Sequence, residues 1–495
     1  MKAKIQQILR LRPAFLFLLP AFFVLHGLRE NYGVVPVPVA WLLFGTYVAV
    51  TLVLTGLAWI GYRHWMKSAL FAACMMTFHF FFGAVHDLLR DWFPGSIITR
   101  HTFILPFSLL LFITLAIVIK KRKSKFSGTA YFFNVLLLLL LVLDIGWLTF
   151  TIAGQTKPTA ADEKLNWNNC DTCKRPDIYL VIADGYPGRK ELTDILKYDN
   201  QRFEDSLRQL GFYITDSSMS NYNFTTYSMA SMLNLEYLQP IIGRYRNKTD
   251  LAFCYERIRN SKTVSQLRKM DYEIINNSIF DIEDLPSSAI PTFLPRKSEP
   301  ITNQTFLSRM EKELAYHLAT TLKIDFVLNY LQNHDLKNNR ELMRKTKELF
   351  PKQSEKPRFV YTHLVMPHRP YYFDSTGSPL PMDTLTEEFG KNVPAFISYL
   401  KYCNRELTGL VRHIKEKSAT PPIIILMSDH GFREFSGPVD NIYQFYTLNA
   451  VYLPDSNYTP FYKGMSNVNQ FRAIFNSTFG QQMPMLKDST SYLID

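Results

Sequence analysis

Ile423-Ile424-Ile425-Leu426-Met427-Ser428-Asp429-His430-Gly431 is the stretch on which the reading of this 495-residue chain turns. Five consecutive apolar residues, led in by Pro421-Pro422, describe a strand buried on both faces, as in a parallel sheet. A carboxylate and an imidazole follow at its carboxyl end, where open α/β sheets hold their ligands.

The same grammar recurs. Ile178-Tyr179-Leu180-Val181-Ile182-Ala183 is continuously apolar and ends at Asp184-Gly185. Arg358–Thr362 reads as a strand ending at His363, with Pro367-His368-Arg369-Pro370 just beyond. Further strands are expected at 212–214 and 448–453. Amphipathic helical patterns fall at about 199–210, 305–333, 391–417 and 467–478. Strands alternating with helices predict an α/β domain with a mostly parallel central sheet flanked by helices. Two carboxylates and up to three imidazoles then emerge at one sheet edge, and oxygen and nitrogen ligands together suit Zn or Mn. One Asp after a strand usually caps a turn; three such strand ends in one chain are harder to obtain by chance.

A site of this kind calls for a nucleophile, and Asn221-Tyr222-Asn223-Phe224-Thr225-Thr226-Tyr227-Ser228 opens what reads as a helix. A helix N-terminus favours an anion, and a nearby divalent cation lowers the pKa of a hydroxyl. The plainer reading makes Thr225 or Thr226 a helix N-cap.

Residues before about 154 are dominated by long apolar runs. A span needs about 20 such residues, and five segments qualify: 13–28, 39–62, 69–88, 101–119 and 131–153. The first is the weakest, being short and broken by Pro20; its basic start and apolar core resemble a signal peptide, but no small-residue cleavage site follows it. Residues 1–154 hold 14 Lys/Arg against 4 Asp/Glu, a net of +10; the remainder holds 41 against 39, a net of +2, together the +12 of the whole chain. The basicity therefore belongs to the membrane loops, and the remainder has no field to attract nucleic acid. The loops near 2–12, 63–67 and 120–125 carry most of it, which makes them cytoplasmic. Five passes then put everything after 154 outside. His79 and Asp144 lie within spans near mid-depth, where a mutual pair is possible; the plainer reading is a structural hydrogen bond that orients helices.

Residues 155–176 read as a linker containing Cys170 and Cys173, and 177–495 as the soluble domain. Outside the cytoplasm disulfides are plausible; Cys170–Cys173 is the first expected pairing and Cys254–Cys403 the second.

The order Asp184, then Thr225 in an Asn-Tyr-x-x-Thr-x-x-Ser setting, then His363/His368, then Ser428-Asp429-His430-Gly431 resembles the sulfatase-like branch of the alkaline-phosphatase superfamily. Five spans before such a domain are similar to lipoteichoic acid synthases and lipid A phosphoethanolamine transferases. The resemblance covers about 177–455, and the anchor in layout only. It implies Asp184, Thr225, Asp429 and His430 as ligands of one divalent metal, Zn or Mn. It also implies Thr225 as nucleophile, with Thr226 as the alternative, and His363 and His368 as groups that bind phosphate or protonate the leaving group. The Cys/Ser-x-Pro-x-Arg motif of sulfatases is absent, which disfavours sulfate-ester hydrolysis.

The implied function is transfer of a phospholipid head group, phosphoethanolamine or glycerophosphate, to a cell-envelope glycan or lipid. The implied place is the outer face of a bacterial inner membrane. A hydrolase of the same superfamily is the alternative, and a non-catalytic binding module on a membrane scaffold the second.

Overall fold

A computed structural model describes residues 2–123, 126–154, 167–168, 173–239, 241, 245–246, 248–289, 298–311, 322, 324, 333–350, 354–381, 384–385 and 387–494. The chain forms two compact units. One is Met1–Ala161 with Pro291–Ile324; the other is Asp162–Ile290 with Asp325–Asp495.

The first unit is helical: α1 (Lys2–Leu11), α2 (Phe15–Glu30), α3 (Val37–Tyr62), α4 (Trp65–Trp92), α5 (His101–Lys121) and α6 (Ser127–Gly154). By length and composition, α3, α4, α5 and α6 can cross a membrane. Helix α2 stands where the first span is expected, but its 16 residues reach only about 24 Å at 1.5 Å per residue, against a hydrocarbon core of about 30 Å. Helix α1 was not anticipated. Asn134 of α6 holds the break between α1 and α2: its Oδ1 accepts from the Phe15 N–H at 2.7 Å and its Nδ2 donates to the Leu9 and Arg12 carbonyls. Leu109, Leu110, Leu139 and Val142 are exposed along α5 and α6, as lipid-facing positions are.

The His79–Asp144 pair that shared depth would allow does not form. Asp144 is buried and lies 2.7 Å from the Arg29 guanidinium and 3.2 Å from His26 Nδ1, both on α2. His79 packs edge-on against Tyr47 of α3. Shared depth made the pair possible; the adjacency of α2 and α6 gives Asp144 a cation instead, which better offsets a charge in hydrocarbon.

The second unit is α/β. Its elements begin with β1 (Ile178–Ala183), α7 (Arg189–Asp194), α8 (Gln201–Gln209), β2 (Tyr213–Ile214), α9 (Thr225–Asn234), α10 (Lys248–Arg259), α11 (Lys262–Lys269) and β3 (Glu273–Asn277). They continue with β4 (Arg358–Leu364), β5 (Ile423–Met427) and β6 (Asn449–Tyr452), with helices His334–Lys347, Val393–Lys417 and Gln470–Phe479 between and after them. The described strands form one sheet in the order β2-β6-β5-β1-β4-β3. β3, β4, β1 and β5 are mutually parallel, and β6 runs against β5 and β2.

Strand alternation builds two cores. Ile178, Leu180 and Ile182 enter one with Ile423, Ile425 and Met427. Tyr179, Val181 and Ala183 enter the other with Ile424 and Leu426. Both faces are covered, so the strands read as unbroken apolar runs.

Cys254 and Cys403 are both buried free thiols. They belong to the two different cores, with the sheet between them, so the Cys254–Cys403 pairing is excluded. Cys173 is disulfide-bonded; Cys170, its expected partner, lies outside the described residues, as does most of the helical pattern expected at 305–333.

Candidate metal centre and active site

Parallel register brings the strand ends together. Ile182 of β1 pairs with His363 of β4 on one side and with Met427 of β5 on the other. Asp184, His363 and Asp429 therefore converge, all buried, with their ligand-type atoms within 4.8 Å of one another. His430 Nε2 lies 3.4 Å from Asp184 Oδ1 and 3.5 Å from Asp429 Oδ2. His363 Nε2 lies 3.7 Å from Asp184 Oδ2.

The backbone makes room for this. Gly185 adopts φ +69°, a left-handed turn that glycine enters without penalty. Its N–H donates to Asp429 Oδ1 at 3.0 Å. Ser428 Oγ accepts from the Tyr186 N–H at 2.9 Å and donates to the His430 carbonyl at 2.6 Å, tying the two strand ends together. A Cβ at Gly431 would lie 2.8 Å from the Tyr446 carbonyl oxygen, so no larger residue follows His430 without displacing the backbone.

The donor atoms fit a cation. Asp184 Oδ1, Asp429 Oδ2 and His363 Nε2 are buried without a hydrogen-bond partner, a costly arrangement unless something binds them. His430 Nδ1 lies 2.7 Å from the Gly431 carbonyl, so it carries the proton and leaves Nε2 as a lone pair. His363 Nδ1 is held at 2.9 Å by the Tyr361 hydroxyl. Such outer partners orient metal-binding imidazoles. Burial alone would raise Asp184, but the nearby imidazoles of His363, His368 and His430 prevail, holding it below the usual carboxylate range. Burial, aided by Arg433, lowers His430 and keeps it neutral. Tyr361 is raised well above its ordinary value by burial and by Asp429 and Asp184.

Thr225 is brought to the same place. Its Oγ1 lies 3.4 Å from His430 Nε2. The N-cap of α9 is Phe224, with no side-chain cap hydrogen bond, so the hydroxyl of Thr225 is not spent on capping. The loop before it is braced by the C-terminal tail. Asn221 Nδ2 donates to the Ser489 carbonyl at 2.8 Å, and Asn223 exchanges hydrogen bonds with the Leu493 backbone at 3.1 and 2.9 Å. The Thr226 hydroxyl instead interacts with Tyr255 of α10.

His363 and His368, paired by their motif, part company. His363 is fully buried among the ligand atoms. His368 is half-buried and lines an open cleft with Gly185, Tyr371, His430 and Arg433. Arg433 was missed in the sequence. It stacks over the Phe224 ring at 4.6 Å and donates to the Asn223 carbonyl at 2.9 Å. Its position two residues past Gly431 was the available signal.

No family model matches the chain, and no curated protein does. In structure it is similar to the C-terminal periplasmic domain of EcEptC from Escherichia coli in complex with Zn, at 13% identity and TM-score 0.38, over 63% of this chain and 84% of that one. It is similar to the integral membrane lipooligosaccharide phosphoethanolamine transferase A from Neisseria meningitidis, at 11% identity and TM-score 0.37, over 92% and 95%. It is also similar to the phosphonate monoester hydrolase of Agrobacterium radiobacter, at 10% identity and TM-score 0.38, over 64% and 79%.

Proposed function

We propose that the α/β unit is a metal-dependent phospho-group transferase of the sulfatase-like kind, with Thr225 as nucleophile and a membrane phospholipid as donor. The observation that carries this reading is the Thr225 Oγ1–His430 Nε2 distance of 3.4 Å, at the head of a helix and beside three buried unpartnered donors.

Asp184, Asp429, His430 and His363 are the residues that would hold one divalent cation, Zn or Mn. When bound, such a cation lowers the pKa of a neighbouring hydroxyl and offsets charge on phosphoryl oxygens. Arg433 and the N–H groups opening α9 bind those oxygens. Thr225 Oγ attacks phosphorus, and the bond from phosphorus to the diacylglycerol oxygen breaks. His368, on the open side, delivers the proton to that leaving oxygen. An acceptor hydroxyl of the cell envelope then attacks phosphothreonine, its proton leaves through His368, and Thr225 is released. One difficult displacement becomes two easier ones.

This reading takes α2 as a short fifth pass, accommodated by local thinning of the bilayer; with the basic segments at 2–12, 63–67 and 120–125 cytoplasmic, it supports an α/β unit outside a bacterial inner membrane. The full chain would be incubated with a head-group-labelled phospholipid and digested for mass spectrometry. Label on the peptide containing Thr225, absent in Thr225→Ala and kept in Thr226→Ala, is the expected outcome. Label on neither threonine with normal turnover would overturn the reading. Label passing to water rather than to added glycan or lipid would make the enzyme a hydrolase.

A further inference from the structure

Residues 298–311 follow the last spanning helix by more than 140 positions and fall inside the stretch read as the soluble domain, yet they belong to the helical unit. The segment holds two short helices, Glu299–Thr302 and Phe306–Arg309. The Pro300 carbonyl accepts from Asn31 Nδ2 at 3.3 Å, at the end of α2. Further on, the Gln304 carbonyl accepts from the Gly83 N–H at 2.8 Å, within α4. Phe306 then packs against Phe78 and Phe82, with ring centroids 5.2 and 5.1 Å apart. Arg309 returns to an ion pair with Asp87.

These contacts form a ladder of depth. Helix α4 has 28 residues, about 42 Å, and its apolar stretch is 69–88. Phe78 stands halfway along that stretch. Asp87 stands at its end, about 13 Å away at 1.5 Å per residue. The segment therefore enters beside the ends of α2 and α4, reaches the depth of Phe78 at Phe306, and climbs back to Asp87.

Two glycines give it a seat. A Cβ at Gly83 would lie 2.6 Å from the Gln304 carbonyl oxygen, and one at Gly27 3.0 Å from Ile301 Cγ1. By contrast Gly45, Gly56 and Gly61 meet nothing within 4 Å. Small residues let backbones approach closely within a bilayer. Irregular backbone survives at such depth only where its polar groups are satisfied. Here Thr305 Oγ1 donates to the Thr302 carbonyl and accepts from the Ser308 N–H, and the Arg309 N–H donates to the Thr305 carbonyl. Ser298, Thr302, Thr305 and Ser308 are buried, whereas Leu307 is 61% exposed.

We infer that residues 298–311 are a re-entrant membrane segment that dips into the hydrocarbon layer and presents Leu307 to lipid acyl chains. No hydropathy scan finds it, because its polar residues are satisfied locally rather than replaced.

The test uses the full chain carrying Cys74→Ser, with a nitroxide attached through Leu307→Cys, reconstituted in phosphatidylcholine vesicles. Collision with oxygen is compared with collision with a water-soluble nickel chelate. Leu110→Cys, 62% exposed within α5, is the hydrocarbon reference. Lys463→Cys, with 75% side-chain exposure, is the aqueous one. Oxygen should dominate at position 307 as at 110. A ratio equal to that at 463 would overturn the inference. Adding Gly83→Leu should move position 307 towards the aqueous ratio, while Gly45→Leu should not. An unmoved ratio in the Gly83 variant would mean that Gly83 is not the seat.

Discussion

Asp429 Oδ1 accepts a hydrogen bond of 3.0 Å from the Gly185 N–H, while Asp429 Oδ2, buried beside it, has no partner. One carboxylate thus joins the ends of β1 and β5 and keeps an oxygen for a cation. The two roles separate by substitution. Asp429→Asn keeps an acceptor for Gly185 but loses the charge, so the unfolding midpoint should stay near that of the unaltered protein. Metal affinity should fall by at least ~100-fold, since outer partners alone are worth about 10–100-fold. Asp429→Ala should lose both. Metal per chain and thermal unfolding in detergent check this, and full metal content in Asp429→Asn would remove Asp429 from the ligand set.

Arg433 is held over Phe224 and by the Asn223 carbonyl, next to Thr225. Its planar guanidinium suits a phosphoryl group better than an ammonium does. Arg433→Met should lower kcat/KM by about 10²–10³, as loss of one charge-stabilising donor does, with metal content unchanged. Arg433→Lys should recover only part. Equal activity in all three proteins would show that Arg433 does not touch substrate.

Much of this site was legible because parallel strands announce themselves. β1 and β5 are unbroken apolar runs ending in Asp184 and Asp429, and parallel register places such ends side by side. What pattern cannot show is which atoms of a long loop turn inward. His363 and His368 look equivalent in sequence, but β4 runs on to Leu364 and carries His363 into the core, leaving His368 on the cleft. Arg433 and Tyr361 have no motif of their own; Arg433 takes its meaning from Asn223, 210 residues away in sequence, and Tyr361 from its bond to the inward-turned His363. The C-terminal brace of Asn221 and Asn223 is likewise a long-range contact with no periodic signature. In the helical unit, spans were visible by hydropathy. The choice of Arg29 over His79 as partner of Asp144 depended on helix adjacency, which hydropathy does not encode.

That pairing carries its own test. Asp144 is almost wholly buried with Arg29 at 2.7 Å, and removing one member of a buried ion pair typically costs about 3–5 kcal/mol. Asp144→Ala should lower the unfolding midpoint strongly in detergent. Combining it with Arg29→Ala should cost less than the two single changes added together, the mark of a direct interaction. His79→Ala should combine with Asp144→Ala additively. Additivity with Arg29→Ala instead would mean that the pair contributes nothing.

Glu191 of α7 is fully buried; its Oε2 accepts from the Phe432 N–H at 3.1 Å and its Oε1 has no partner. Burial raises its pKa well above the usual carboxylate range, opposed only by that backbone bond. The folded state therefore keeps a proton that the unfolded chain loses near the ordinary glutamate value of about 4.3. Fewer protons are bound on unfolding, so this group's contribution is full below that value and is lost as pH rises. The slope is up to about 1.4 kcal/mol per pH unit while the folded form stays protonated. Glu191→Gln keeps an acceptor for Phe432 and cannot titrate. Its stability relative to the unaltered protein should therefore rise between pH 5 and pH 7, read from chemical-denaturation midpoints at three pH values. The loop it supports carries His430 and Arg433; because folded Glu191 is uncharged, as glutamine is, metal binding measured alongside should depend on pH in the same way in both proteins. A difference between the two proteins that does not change with pH would mean that Glu191 is ionised when folded, with Oε1 satisfied by water.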